Sequence, residues 1–64
     1  MEKEILSCEI VDIVDEYGIE KTRERVLGFG TIHTWYDVCL DRGEGDIVAS
    51  FRTLKEARRW AKEN

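Results

Sequence analysis

Two runs in the second half of the chain alternate so regularly that they constrain everything around them. In residues 33–41, HTWYDVCLD, Tyr36, Val38 and Leu40 fall on one side and Trp35, Asp37, Cys39 and Asp41 on the other. In DIVASF, Ile47, Ala49 and Phe51 alternate against Val48 and Ser50. A period of two is the mark of a strand with one buried face. The linking segment Arg42-Gly43-Glu44-Gly45-Asp46 supplies two glycines for positive φ. Residues 34–41 and 46–52 are therefore expected to form an antiparallel hairpin, with Tyr36, Val38 and Leu40 turned to the core.

A helix must follow at once. Thr53-Leu54-Lys55-Glu56 has the S/T-x-x-E form of a capping box, in which the two side chains satisfy free backbone donors at a helix start. Leu54, Ala57, Trp60 and Ala61 then share one stripe at helical spacing, while Lys55, Arg58, Arg59, Lys62 and Glu63 cover the rest. Such a stripe has to be buried, and the sheet is the surface available to it.

The first half is strand-like with irregularities. In residues 4–14, EILSCEIVDIV, Leu6, Cys8 and Ile10 alternate in one phase and Val11 and Ile13 in the other. One extra residue flips the face of everything after it, so a β-bulge near Ile10 and Val11 would turn both sets toward one core. Residues 15–20, DEYGIE, with Gly18 inside, read as a turn. Residues 21–29, KTRERVLGF, suggest a second strand ending at Phe29, with a loop from about Gly30 to Ile32. The whole is expected to be an α+β fold: an antiparallel three- or four-stranded meander with one C-terminal helix packed on one face, β-β-β-β-α.

At 64 residues the chain is one domain, 1–64. A domain this short buries only about 60% of the surface its unfolded chain exposes, and its core rarely contributes more than about 3–5 kcal/mol. A homodimer through an unpaired sheet edge is one expected remedy, because such an edge is a template for pairing. The opening Met1-Glu2-Lys3-Glu4 lacks the basic and apolar regions of a secretory signal, and no apolar run approaches the ~20 residues of a membrane span, so a cytoplasmic, membrane-free protein is expected.

Chemistry-bearing patterns are sparse. Cys8 and Cys39 are the only cysteines and His33 the only histidine, with none of the paired spacings of a zinc site. Both cysteines sit in apolar runs and are expected to be small buried hydrophobes, with a bridge open only if they share a sheet face. Gly28-Phe29-Gly30 lacks the lysine and helix start of a phosphate loop. No catalytic residue, cofactor or metal is expected, and the chain is read as a non-enzymatic protein.

Charge and one tryptophan point instead to a partner. Residues 1–20 hold seven acidic and one basic residue, a net of −6, whereas residues 52–64 hold five basic and two acidic, a net of +3. This asymmetry either compensates itself within the fold or leaves an acidic patch suited to a basic protein surface. The phase that buries Tyr36 and Val38 puts Trp35 on the opposite face with Asp37, Cys39, Val48, Ser50 and Arg52. Either the indole is open there, as an interface anchor, or the N-terminal residues or the 28–32 loop fold over it. The expected partner-binding residues are Trp35, Asp37, Glu9 and Asp12, and the expected function is a small protein-binding module.

From Trp35 onward, the succession of strands, Phe51, the Thr53 cap, and Glu56, Ala57, Trp60 and Ala61 on a helix resembles the arm-type, AP2-like N-terminal DNA-binding domain of phage tyrosine integrases. The resemblance covers less than half of the chain. It implies three antiparallel strands and a helix, with the sheet entering the major groove and Arg23, Arg25, Trp35 and Arg52 as candidate contacts. The strands here carry Asp37, Asp41, Glu44 and Asp46 where that family is rich in Lys and Arg, and the pI is about 4.9. Since basic side chains supply most nucleic-acid affinity, a protein partner is favoured over DNA, in the manner of small phage accessory or inhibitor proteins.

Overall fold

A computed structural model describes residues 2–28 and 30–64. Strand β1 is Lys3–Val14, β2 Tyr17–Val26, β3 Thr31–Cys39 and β4 Ile47–Phe51; a 3-10 turn spans Asp41–Gly43 and helix α1 spans Leu54–Glu63. The four strands form one antiparallel sheet in the order β1-β2-β3-β4. The expected α+β meander with a C-terminal helix is the fold observed, with four strands. The second strand ends at Val26 rather than near Phe29, which lies outside the described residues, and Thr31 and Ile32, expected in a loop, begin β3.

Helix α1 begins where the capping box places it. The Thr53 hydroxyl accepts from the Glu56 backbone N–H at 3.2 Å and donates to the Glu56 carboxylate at 2.8 Å. Along the apolar stripe, Ala57 and Ala61 are buried against Ile19 of β2 and Val38 of β3. Leu54, Trp60, Tyr17, Tyr36, Phe51, Ala49, Val11 and Val14 pack around this centre. The Trp60 ring meets Tyr17 edge-on at 5.5 Å.

Ten helical residues span about 15 Å, whereas twelve strand residues span about 40 Å, so α1 covers one end of a molecule 38 Å long. The far end, built from the start of β1, the end of β2 and the start of β3, extends past the helix as a three-stranded ribbon. We call the side away from α1 the helix-free face.

The expected bulge exists, since the β1–β2 register slips between Ile10 and Asp12, and a second slip lies between Ile5 and Ser7. Its consequence differs from expectation. Cys8 and Ile10 lie across from Thr22 and Glu20, and after the slip Ile13 lies across from Gly18, so these three side chains share the helix-free face. Val11 and Val14 pack on the core, while Ile10 and Ile13 are exposed. The slip aligned two sets of isoleucine and valine, and the helix could reach only one.

The loop after β3 corrects two further expectations. Leu40 follows the last residue of β3 and is 38% exposed rather than in the core. Its backbone is committed to the loop, accepting from Gly43 N–H at 3.0 Å and Gly45 N–H at 2.8 Å. Asp41, Arg42 and Gly43 all have positive φ, a run that folds the loop back over the helix-free face. There the Arg42 N–H donates to the Glu16 carbonyl at 2.8 Å.

Gly18 is not the turn residue its sequence context suggests. Val14 pairs with Tyr17, so the turn is Asp15 and Glu16, with Asp15 at φ 54°. Gly18 sits inside β2 because the loop lies directly on it: a Cβ there would be 2.4 Å from Gly43 N and 2.5 Å from Arg42 C. Gly18→Ala is therefore expected to lower unfolding free energy by about 1–3 kcal/mol, the usual cost of forcing atoms into a packed site. Urea unfolding followed by circular dichroism measures it, and an unchanged midpoint would mean that the loop does not rest on Gly18.

Candidate functional site

Strand alternation carries Thr22 and Glu24 of β2, Trp35 and Asp37 of β3, and Ser50 of β4 to the helix-free face, beyond the stretch covered by the loop. With Lys3 of β1 they line a shallow depression of about 290 Å³. Trp35 faces away from α1, as its phase requires, and is half-buried. Among the described residues, two contacts hold it, and Lys3 of the N-terminal segment lines the same depression. Its indole N–H donates to Glu24 Oε1 at 3.0 Å, and the Arg52 guanidinium stands 4.7 Å from the ring centroid. A cation over an aromatic face is attracted by the ring quadrupole.

Beneath this surface Asp37 is only 8% exposed. Its two carboxylate oxygens accept from neighbours on the flanking strands, Ser50 at 2.7 Å and Thr22 at 3.2 Å. Glu24, equally buried, has a cation: Lys3 Nζ lies 3.3 Å from Oε1. Among the described residues no cationic nitrogen lies within 4.0 Å of the Asp37 carboxylate. The Glu20 backbone lies directly across from Asp37 and brings a second carboxylate to the same face.

The remaining residues singled out in the sequence lie elsewhere. Glu9 pairs with Lys21 and Asp12 with Ile19, which puts both acids on the helix side, away from Trp35 and Asp37. Asp12 is engaged by Arg58 of α1 at 2.6 Å, so part of the charge asymmetry is compensated within the fold. Arg23 and Arg25 also project to the helix side, Arg25 within 3.5 Å of Glu4, whereas Arg52 is on the opposite face. Ser50 was expected on the face of Trp35, whereas Thr22, Glu24 and Lys3 were not singled out. Thr22 and Glu24 share that face, and only the strand register could have revealed it.

Cys8 is exposed and Cys39 buried, so the expectation that both are buried holds only for Cys39. They share the helix-free face, but β2 separates their strands and their β2 partners, Thr22 and Gly18, are four residues apart. At about 4.8 Å per strand and 3.3 Å per residue, that separation is well beyond the ~4.4–6.8 Å Cα span of a disulfide. A hydrogen bond to the Glu20 carboxylate, with partial burial, pushes the Cys8 thiol up, and burial pushes up that of Cys39. Thiolate, the reactive form, is thus scarce at neutral pH. The described residues contain no group of three or more His, Cys, Asp and Glu able to hold a metal, and no helix among them is long and apolar enough to cross a membrane. Iodoacetamide is expected to add slowly and once to the native protein, at Cys8, and twice in denaturant. Mass spectrometry reads this, and native labelling at Cys39 would contradict the packing of the loop.

The chain matches no protein-family model, no curated protein and no solved structure.

The geometry of the site makes a statement about pH. The indole N–H of Trp35, assisted by Lys3, holds the Glu24 carboxyl below its ordinary range against the opposing effect of desolvation. A carboxyl lowered in the folded state stabilises the fold above its unfolded pKa, and that contribution disappears as pH falls through the folded value. Wild-type stability is thus expected to decline on acidification from about pH 4 downward, and Glu24→Gln to be less stable at neutral pH while converging on the wild type in acid. Thermal unfolding at a series of pH values tests this; parallel curves would show that Glu24 is not linked to folding.

Proposed function

We propose that this protein is a non-enzymatic binding module, an accessory or inhibitor that engages a protein partner through the open part of its helix-free face. The observation that carries this reading is the setting of Trp35. The indole is oriented by Glu24, braced by Arg52 and partly exposed on a stretch of sheet that no other described layer covers. Trp and Arg are the residues most enriched at the energetic centres of interfaces, and an indole already fixed in one orientation loses little entropy on binding. On the same face, two strands away, Ile5 of β1 is 58% exposed and adds apolar area.

A face is better supported as the contact than an edge. The free edge of β1 is interrupted by slips at Leu6 and Val11 and bordered by Glu4, Glu9 and Asp12, devices that obstruct strand addition. Binding is also better supported than catalysis, because the depression is shallow and both cysteines lie far from His33, Cys39 about 20 Å along the same strand. DNA contact by Arg23, Arg25, Trp35 and Arg52 together has less support, since these residues are divided between the two faces of the sheet.

The test is capture of partners from a lysate by immobilised wild type and by Trp35→Ala. The variant is expected to lose the partner, with affinity falling by about 2 kcal/mol or more, roughly thirtyfold. A photo-crosslinking residue at position 5 or 52 is expected to trap that partner, whereas one at position 55 on the outer face of α1 is not. A Trp35→Ala protein that retains every partner would remove this reading.

A further inference from the structure

The helix-free face contains a charge with no counter-charge among the described residues. Asp37 lies on a central strand, is more than nine-tenths buried, and has two hydroxyl donors, one to each oxygen. Each carboxylate oxygen has two lone-pair sites, so each retains acceptor capacity. Buried carboxylates are normally paired with a cation or a metal. Here the two nearby cations are engaged otherwise, Lys3 with Glu24 and Arg52 over the Trp35 ring. Glu20, across from Asp37 on β2, adds negative charge with no described ion pair.

The position of Arg52 shows what shape the surface accepts. Its guanidinium rests on Trp35 from one residue past the end of β4 and does not reach Asp37. Trp35 and Asp37 are two residues apart on one face, about 7 Å along the strand. A guanidinium entering from above could therefore cover the indole and still present N–H groups to the Asp37 carboxylate. Arginine suits both contacts, because its planar fork pairs with carboxylates and stacks on aromatic rings, which an ammonium does less well.

We propose that the depression over Asp37 receives an arginine side chain of the protein partner, which displaces Arg52 from Trp35 and forms an ion pair with Asp37. Arg52 is then an internal competitor, holding the aromatic surface in the unbound state. This inference rests on the binding reading given above and names the chemistry of the partner: an exposed arginine bordered by apolar residues that meet Ile5.

The probe is the blocked tripeptide acetyl-Gly-Arg-Gly-amide, titrated into the full chain while the two indole N–H resonances are followed by NMR. The Trp35 signal is expected to shift saturably with a millimolar constant, the Trp60 signal to stay fixed, and the isosteric citrulline peptide to have no effect. Arg52→Ala is expected to bind the arginine peptide about threefold more tightly, through release of a cation–π contact. Asp37→Asn is expected to bind it at least about tenfold more weakly, through loss of the ion pair. An increase in affinity on removing an arginine is a result that a merely structural Arg52 would not give.

Equal shifts with citrulline, no tightening in Arg52→Ala, or unchanged affinity in a folded Asp37→Asn would each overturn the proposal. If Asp37→Asn gives a collapsed amide spectrum, the citrulline comparison and Arg52→Ala decide the matter on folded protein. A concentration-dependent shift of the Trp35 signal without peptide would assign the site to the basic helix of a second copy, and would also overturn it. If wild type keeps a Trp35-dependent partner yet ignores the arginine peptide, this inference falls alone. If partner capture does not depend on Trp35, both readings fall.

Discussion

The contact on which the molecule depends is that of two alanines with two β-branched side chains. Ala57 and Ala61 bring the α1 backbone close to the sheet, and their closeness is what fully buries Ile19 and Val38. Larger residues at either position would lift the helix and open the space that Leu54, Tyr17, Phe51 and Trp60 now close from the sides. Because the helix has ten residues, this single contact also fixes where the core is. It lies at one end of a sheet more than twice the length of the helix, and the part beyond it is held by strand pairing and by side-chain contacts between strands such as Trp35–Glu24 and Lys3–Glu24.

The same end is reinforced on its other side. The loop after β3, folded back by three successive left-handed residues, rests on Gly18 and buries Cys39. Such backbone is costly for Arg42, since side chains other than those of Gly, Asn and Asp rarely adopt it. Hydrogen bonds from the loop to Leu40 and Glu16 offset that cost. One end of the molecule thus has three layers, helix, sheet and loop, and the other has one. This division places Trp35 and Asp37 beyond the covered part while keeping their strand rigid, anchored by Val38 in the core.

Period and capping were legible in the sequence, and depth was not. The hairpin, the helix start at Thr53 and the outward phase of Trp35 all follow from local rules that act within a few residues, and each matches the structure. The slip near Val11 was legible too, because two alternations in conflicting phase within one strand require it. The direction in which the slip turned Ile10 and Ile13 was not, because it depends on how far a ten-residue helix reaches across four strands. Leu40 misled for a related reason: alternation continues in the text past the point where the strand stops at Cys39. Gly18 misled because a glycine needed for close approach by a distant loop looks the same as one needed for a turn. The polar cluster was legible only in part: alternation put Ser50 on the face of Trp35 and Asp37, whereas Thr22 and Glu24 join it only through the register of β2 against β3.

That cluster bears on why so small a domain places polar groups at the centre of an uncovered face. A valine at position 37, a site more than nine-tenths buried, would leave the Thr22 and Ser50 hydroxyls without the acceptor they now share. Aspartate with Thr22 and Ser50 instead ties β2, β3 and β4 together by hydrogen bonds directed to the carboxylate, which are stronger than those between neutral groups. Two hydroxyls donate to the carboxylate but no cation pairs with it among the described residues, so its field reaches the space above. In the unbound molecule that field acts on Lys3 and Arg52 at a distance, and both are held in place by other partners. The face is therefore stable without an occupant and still favours positive charge, a combination that neither a fully paired salt bridge nor an apolar patch would provide.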